Sequence, residues 1–180
     1  MNYTENLLIE RIKERIKDPI RFVDLPDVIN KGDFYKVPPP VSLSELEIAE
    51  KKLGFELPSL LRILYLQIGN GGFGPGYGLI GLNDMGAKNH HSNLVDWYLE
   101  GVNFSHPDYP AFPRQFVTIC DWGDNITSMI DWTKLESPVF RFNGDEYDEG
   151  SFENVIKPES PSLQTWLEDW LNDRLLFRIV

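Results

Sequence analysis

With 180 residues, 42% of them hydrophobic and 13% aromatic, the chain is large and apolar enough to fold as one domain, and its single cysteine excludes an internal disulfide. No apolar run approaches the roughly 18 residues of a membrane helix, and the N-terminal residues lack the basic and apolar regions of a signal peptide, so we expect a soluble cytoplasmic protein without membrane contact. The net charge of −11, of which −9 belongs to residues 61–180, disfavours nucleic-acid binding and suits either simple solubility or a basic protein partner.

The first predicted element is an amphipathic helix over residues 4–17. Asp18-Pro19 follows directly and is expected to end the helix. We interpret residues 1–40 as an N-terminal helical extension that packs on a main domain over residues 41–180. The apolar positions of the helix recur at every fourth residue, which is the helical pattern: Leu8, Ile12 and Ile16.

Two helices are predicted at the start of the main domain. Ser42 and Glu45 have the spacing of a capping box, and Gly54 suits the end of the helix that they open. The next helix has Pro58 in its first turn and is apolar on most sides, which is typical of a buried helix. The residues expected to face the core are Leu43, Leu46, Ile48, Ala49 and Leu53 in the first helix, and Leu57, Leu60, Leu61, Leu64 and Ile68 in the second.

The second half of the chain predicts a β-hairpin, a third strand and a closing helix. Because helices precede the run of strands and one helix follows it, the order favours an α+β fold, with an antiparallel or mixed β-sheet packed against helices in a single domain. The predicted elements are a short strand near residues 77–80, a helix over 92–101, strands at 116–120, 126–132 and 138–142, and a final helix that opens at Ser160 and Pro161 and buries Trp166 and Trp170.

Motifs for catalysis, cofactors and metals have no supporting context. Residues 69–74 and 76–81 both match the glycine spacing of a dinucleotide-binding turn, but a predicted helix precedes them and a strand follows, which reverses the required order. The three histidines lack metal-ligand spacing, and Cys120 ends an apolar strand, where cysteines usually pack inertly. We therefore predict that the protein is not an enzyme and binds no cofactor or metal.

Acidic residues of two predicted turns form the candidate partner-binding site. One turn follows the first strand of the hairpin and the other follows the third strand. In an antiparallel meander, alternate turns lie at the same end of the sheet, so these turns should meet. The alternative is a merely solvated edge. The candidate partner-binding residues, with a tryptophan as a possible apolar anchor, are Asp121, Trp122, Asp124, Asp145, Glu146, Asp148 and Glu149.

Five short motifs follow one another over roughly residues 41–176 in a recognisable order. They are Leu57-Pro58 at the start of a helix, Asn70-Gly71-Gly72 at its end, Gly123-Asp124 between two strands, Pro138-Val139 at the start of a strand, and Ser151-Phe152 before the closing helix. In this order the motifs resemble those of the SUKH superfamily, the SMI/KNR-type proteins. Residues 1–40 have no counterpart in that pattern.

The resemblance implies an SMI/KNR-like fold and a non-catalytic protein-binding module. Bacterial members look like immunity proteins that neutralise polymorphic toxins, often nucleases, and fungal members are regulators of cell-wall synthesis and signalling. No catalytic set is shared across the family, so none is transferred to this chain. We expect an acidic immunity protein with a basic toxin domain as its candidate partner. The alternatives are a regulatory or scaffold protein without a toxin partner and, least favoured, an enzyme with an unrecognised site.

Overall fold

A four-stranded antiparallel sheet with helices packed against it forms the architecture. The computed structural model describes residues 3–18, 37–83, 93–107, 109–147, 151–152 and 154–175. In chain order, the elements within these ranges are α1 (Tyr3–Arg15), α2 (Leu43–Leu53), α3 (Ser59–Gln67), α4 (Leu94–Asn103), β1 (Phe116–Gly123), β2 (Ile126–Asp131), β3 (Val139–Asn143), a 3₁₀ turn (Gly144–Glu146), β4 (Ile156–Ser160) and α5 (Leu163–Leu171).

The strands form a meander in the order β1-β2-β3-β4, so each strand pairs with its neighbours in sequence. This arrangement confirms the predicted α+β class. The edge strand β4 is absent from the predicted elements, because its sequence is mostly polar and contains Pro158. Proline is tolerated in an edge strand, where its missing N–H removes no ladder bond. β4 also includes Ser160, so the predicted helix start there is wrong, and Ser162 caps α5 instead by accepting the Thr165 N–H at 3.0 Å.

Helix α2 confirms the predicted capping box but buries a narrower face than expected. The Ser42 N–H donates to Glu45 Oε2 at 2.6 Å, and the Glu45 N–H donates back to Ser42 Oγ at 3.3 Å. Ile48 is 58% exposed, because it lies about half a turn away from the buried position Leu46. Leu43 is 54% exposed, since it is the first residue of the helix and the buried face begins one turn later.

Helix α3 lies in the centre of the core, as its apolar pattern predicts. Leu61 and Leu64 are fully buried. Pro58 occupies the N-cap position of this helix instead of its first turn. A buried carboxylate joins the helix to α2: Glu50 Oε1 accepts the Leu57 N–H at 2.7 Å and a guanidinium N–H of Arg62 at 2.6 Å.

The chain after α3 is held by the side chain of a fully buried asparagine. Asn70 Oδ1 accepts the Leu82 N–H at 2.7 Å, and its amide donates to Asn83 Oδ1 at 2.8 Å. Gly71 follows with φ +74°, and a Cβ there would lie 2.5 Å from the carbonyl oxygen of Leu79. Only glycine fits this combination of backbone angle and close approach. The strand predicted near residues 77–80 is reduced to one bridge, between Leu79 and Cys120.

Helices α1 and α5 pack against each other. The Arg15 guanidinium donates to the carbonyl oxygen of Trp170 at 3.0 Å and lies 4.5 Å from the centre of its ring. Trp166 and Trp170 are buried, as predicted. Leu8 and Ile12 of α1 belong to the same hydrophobic cluster as the centre of α3. The division of the chain into an extension and a main domain at residue 40 stays a prediction.

Candidate binding surface

The structure brings the two predicted turns together at one end of the sheet. The Gly144 N–H donates to the carbonyl oxygen of Asn125 at 2.9 Å, and the side-chain amide of Asn125 donates to Asp145 Oδ1 at 2.7 Å. Asp124, Asp145 and Glu146 are exposed there, and we call these three residues the acidic end. Asp148 and Glu149 lie outside the described residues.

The carboxylates near this end have different local roles. Glu146 pairs with Lys157 at 2.6 Å and accepts a hydrogen bond from Asn143 at 3.0 Å. The hydrogen bond from Lys157, followed by that from Asn143, lowers the pKa of Glu146 below its ordinary value. Asp121 is half-buried and accepts the N–H of Gly123 at 2.8 Å within the bulged end of β1. Asp121 therefore shapes the strand end, whereas the acidic end presents its charge to solvent.

Trp122 is not the exposed anchor that the sequence suggested. Only 1% of it is exposed, because β1 continues through Gly123 and places Trp122 within the strand, where its side chain joins the core. Gly76 covers the ring: with φ +58°, a Cβ at this position would lie 3.1 Å from the indole. A direct contact between Trp122 and a partner is therefore ruled out in this conformation.

A polar network lies under the acidic end, between the core and the edge of the sheet. The indole N–H of Trp122 donates to Ser128 Oγ at 2.8 Å, and Ser128 Oγ donates to Glu159 Oε2 at 2.6 Å. Arg141 donates to Glu159 Oε1 at 2.7 Å and lies 5.2 Å from the Trp122 ring centre. This network was not predicted from the sequence, although polar residues at alternating positions of apolar strands were a signal for it. The network links β1, β2, β3 and β4 and so fixes the sheet beneath the acidic end.

An open cleft of about 570 Å³ lies beside the acidic end and is lined mostly by aromatic side chains. We call it the aromatic cleft. Helix α4 contributes Trp97 and Glu100, its C-cap residue is Phe104, and the segment after it contributes Tyr109 and Phe112. The Phe112 N–H donates to a carbonyl oxygen near the end of α4, at Gly101, at 3.1 Å. This bond holds the segment against the helix.

The remaining aromatic residues of the cleft come from β3 and the connection to β4. They are Phe142, Tyr147 and Phe152. Phe112 packs edge-on against Phe142 and Phe152, with ring centres 5.9 and 5.2 Å away. Tyr147 directly follows Glu146, so the aromatic cleft and the acidic end adjoin at this point of the chain. The sequence analysis missed the cleft, because its walls come from segments that are far apart in the chain.

The cleft combines aromatic rings with one charged side chain. Glu100 is the single charged residue among its described lining residues, and neither lysine nor arginine lines it there. The hydroxyl of Tyr147 is buried and has no hydrogen-bond partner in the described part of the chain. Aromatic clefts with few polar groups bind apolar groups, and ring faces also attract cations. The surface therefore suits a partner segment that is apolar and positively charged.

Within the residue ranges that the structure describes, no three His, Cys, Asp or Glu side chains lie close enough together to hold a metal ion. His90 and His91 lie outside these ranges, and Cys120 is buried. None of the helices that the structure describes has both the length and the apolar character needed to cross a membrane.

Comparison with protein families gives a match over most of the chain. The model of the SMI1 / KNR4 family (SUKH-1) matches residues 40–169. The matched range contains the whole sheet, the polar network, the acidic end and the aromatic cleft, whereas α1 precedes it. A search of curated proteins found no match to the chain.

Proposed function

The chain belongs to the SMI1 / KNR4 family (SUKH-1), and we propose that it is a non-catalytic protein-binding module, an immunity protein that binds a toxin domain in the cytoplasm and neutralises it. The observation that carries the proposal is the position of the aromatic cleft next to the acidic end, at Glu146 and Tyr147. This arrangement places exposed carboxylates beside an open aromatic cleft, which is a combination typical of protein-binding surfaces.

The charge of the chain supports a basic partner. Residues 61–180, which include the whole surface, carry −9 of the net charge of −11. A nuclease toxin must attract phosphate groups and is therefore a natural basic partner for such a surface. Complementary fields raise association rates by roughly ten- to a thousandfold. Fast capture is valuable to an immunity protein, because the toxin acts as long as it is free.

Neutralisation needs no chemistry from the immunity protein. A toxin domain bound across the acidic end would have its active site or its substrate groove covered. The carboxylates would direct the encounter, and the aromatic cleft would hold an apolar part of the partner and slow dissociation. The polar network beneath the acidic end would keep the surface in one shape.

Co-production with a candidate toxin tests the proposal. The toxin domain encoded beside the gene for this chain is produced in a host cell with and without the chain, and the complex is then purified. We expect the chain to restore growth and to form a stoichiometric complex with the toxin domain. A toxin of the same chemistry from an unrelated locus serves as the control and should not be neutralised. Stable binding without restored growth would contradict the immunity role and favour a regulatory or scaffold protein.

A further inference from the structure

The walls of the aromatic cleft come from two parts of the structure that meet at Phe112. Trp97 lies on α4, and Phe104 is the C-cap residue of that helix. Phe142 belongs to β3, and Phe152 packs against it with ring centres 6.3 Å apart. Phe104 is 49% exposed, although it is a large apolar residue. The cleft therefore presents an open aromatic surface.

The electrostatic character of the cleft favours a cation. The faces of aromatic rings carry negative partial charge and attract ammonium and guanidinium groups. Glu100 is exposed on the same helix and forms no ion pair with any residue that the structure describes. Asp145 adds negative charge where the cleft meets the acidic end, whereas the charge of Glu146 is balanced by Lys157. An acidic ligand would be repelled, and a purely apolar one would leave Glu100 without a partner.

The volume of the cleft indicates an occupant larger than one side chain. Ligand pockets span roughly 300–1,000 Å³, and this cleft measures about 570 Å³. We propose that the aromatic cleft binds an arginine or lysine side chain, together with its apolar neighbours, from an exposed segment of the partner protein. This inference rests on the proposed function and adds to it the chemistry by which the partner is recognised. The cation lies against the ring faces, and Glu100 pairs with it.

A pair of matched peptides tests the charge requirement. One peptide carries an arginine between prolines, and the other carries citrulline, which keeps the shape of arginine without its charge. Both are titrated into isotope-labelled protein, and the indole N–H of Trp97 and the amide N–H of Gly101 are followed by NMR. We expect the arginine peptide to shift both signals and to bind about two- to thirtyfold more tightly than the citrulline peptide.

Variants of exposed residues test whether the cleft is the binding site. Glu100→Gln should weaken the arginine peptide and reduce its advantage over citrulline, and Phe104→Ala should weaken both peptides. Glu136→Gln and Leu135→Ala are matched controls, because both residues are exposed on the β2–β3 connection at the other end of the sheet, and Leu135 is 97% exposed. The controls should bind like the unmodified chain.

Four outcomes would overturn the inference. The first is equal binding of the two peptides, and the second is the absence of shifts at Trp97 and Gly101. The third is an indole of Trp97 that is inaccessible to solvent in the free protein, which would mean that the chain itself fills the cleft. Unchanged toxin binding by Glu100→Gln and Phe104→Ala would also reject the inference but leave the proposed function standing. Peptide binding at the cleft without toxin neutralisation would reject the proposed function alone.

Discussion

At the scale of single residues, the carboxylate of Glu146 is the part of the acidic end that the fold controls most directly. Lys157 and Asn143 both donate hydrogen bonds to it, and together they lower its pKa. A lowered pKa means that the folded chain favours the charged form. The resulting stabilisation is therefore present above the ordinary pKa of glutamate and is lost as the pH falls through the lowered value.

Removing the lysine should reverse this shift. We expect Lys157→Met to raise the pKa of Glu146 towards the ordinary value, because the strongest hydrogen bond to the carboxylate is lost. Side-chain carboxyl NMR signals measured across the acid range give this pKa directly. Lys134→Met is the control, since Lys134 is exposed on the β2–β3 connection, away from the acidic end. An unchanged pKa in Lys157→Met would show that the ion pair does not form in solution.

Residue patterns predict the order of strands and the meeting of turns, but they do not predict the burial of a single side chain. The meeting of the turns follows from strand order alone, so Asp124 and Asp145 could be placed together from the sequence. The burial of Trp122 could not, because it depends on how far β1 continues past Cys120 and on packing by a distant glycine. Trp97 is partly exposed, and its role in the cleft depends on contacts with other segments.

At the scale of elements, the capping signal of α2 was reliable, whereas signals that depend on a neighbouring strand or helix were not. The capping box of α2 spans four residues and could be recognised directly. Strand β4 could not be recognised from its own residues, because few of them are apolar. Its stability comes from its pairing with β3. For the same reason Ser162, rather than Ser160, caps α5. Leu43 and Ile48 of α2 were expected to face the core, but both are exposed. Apolar residues at a helix surface are common, so an apolar pattern alone does not show burial.

The contrast between α2 and α3 gives a paired stability test. Leu64→Ala should lower the free energy of unfolding by about 2–5 kcal/mol, because Leu64 is fully buried and the substitution leaves a cavity. Ile48→Ala should change it by no more than about 0.5 kcal/mol, since Ile48 is 58% exposed. Urea denaturation followed by tryptophan fluorescence measures both. Comparable losses in the two variants would mean that α2 buries the face that contains Ile48.

At the scale of the whole molecule, the hydrophobic core and the surface charge are distributed differently. The core includes residues from α1 to α5, so the fold draws on nearly the entire described chain. Most of the net negative charge belongs to residues 61–180. Exposed charges contribute little to stability. The acidic end can therefore be changed without unfolding the chain, which makes its role in binding open to a direct test.

Neutralising the acidic end should slow capture of the toxin partner. In the triple variant Asp124→Asn, Asp145→Asn and Glu146→Gln, we expect the association rate at low salt to fall by about tenfold, because steering by the local field is lost. Its dependence on salt should also become flatter, and the rates of variant and unmodified chain should converge near 1 M salt, where the screening length is about 3 Å. Stopped-flow fluorescence over a range of salt concentrations measures these rates.

A second triple variant separates the acidic end from the net charge. Glu47, Glu56 and Glu136 are exposed elsewhere on the chain, and their replacement by glutamine changes the net charge by the same amount. This control should lose much less of the association rate, because steering depends most on charges within about one screening length of the partner, roughly 10 Å at 0.1 M salt. Equal losses in the two variants would mean that total charge, and not the acidic end, attracts the partner. Unchanged rates in both would place the binding surface elsewhere on the molecule.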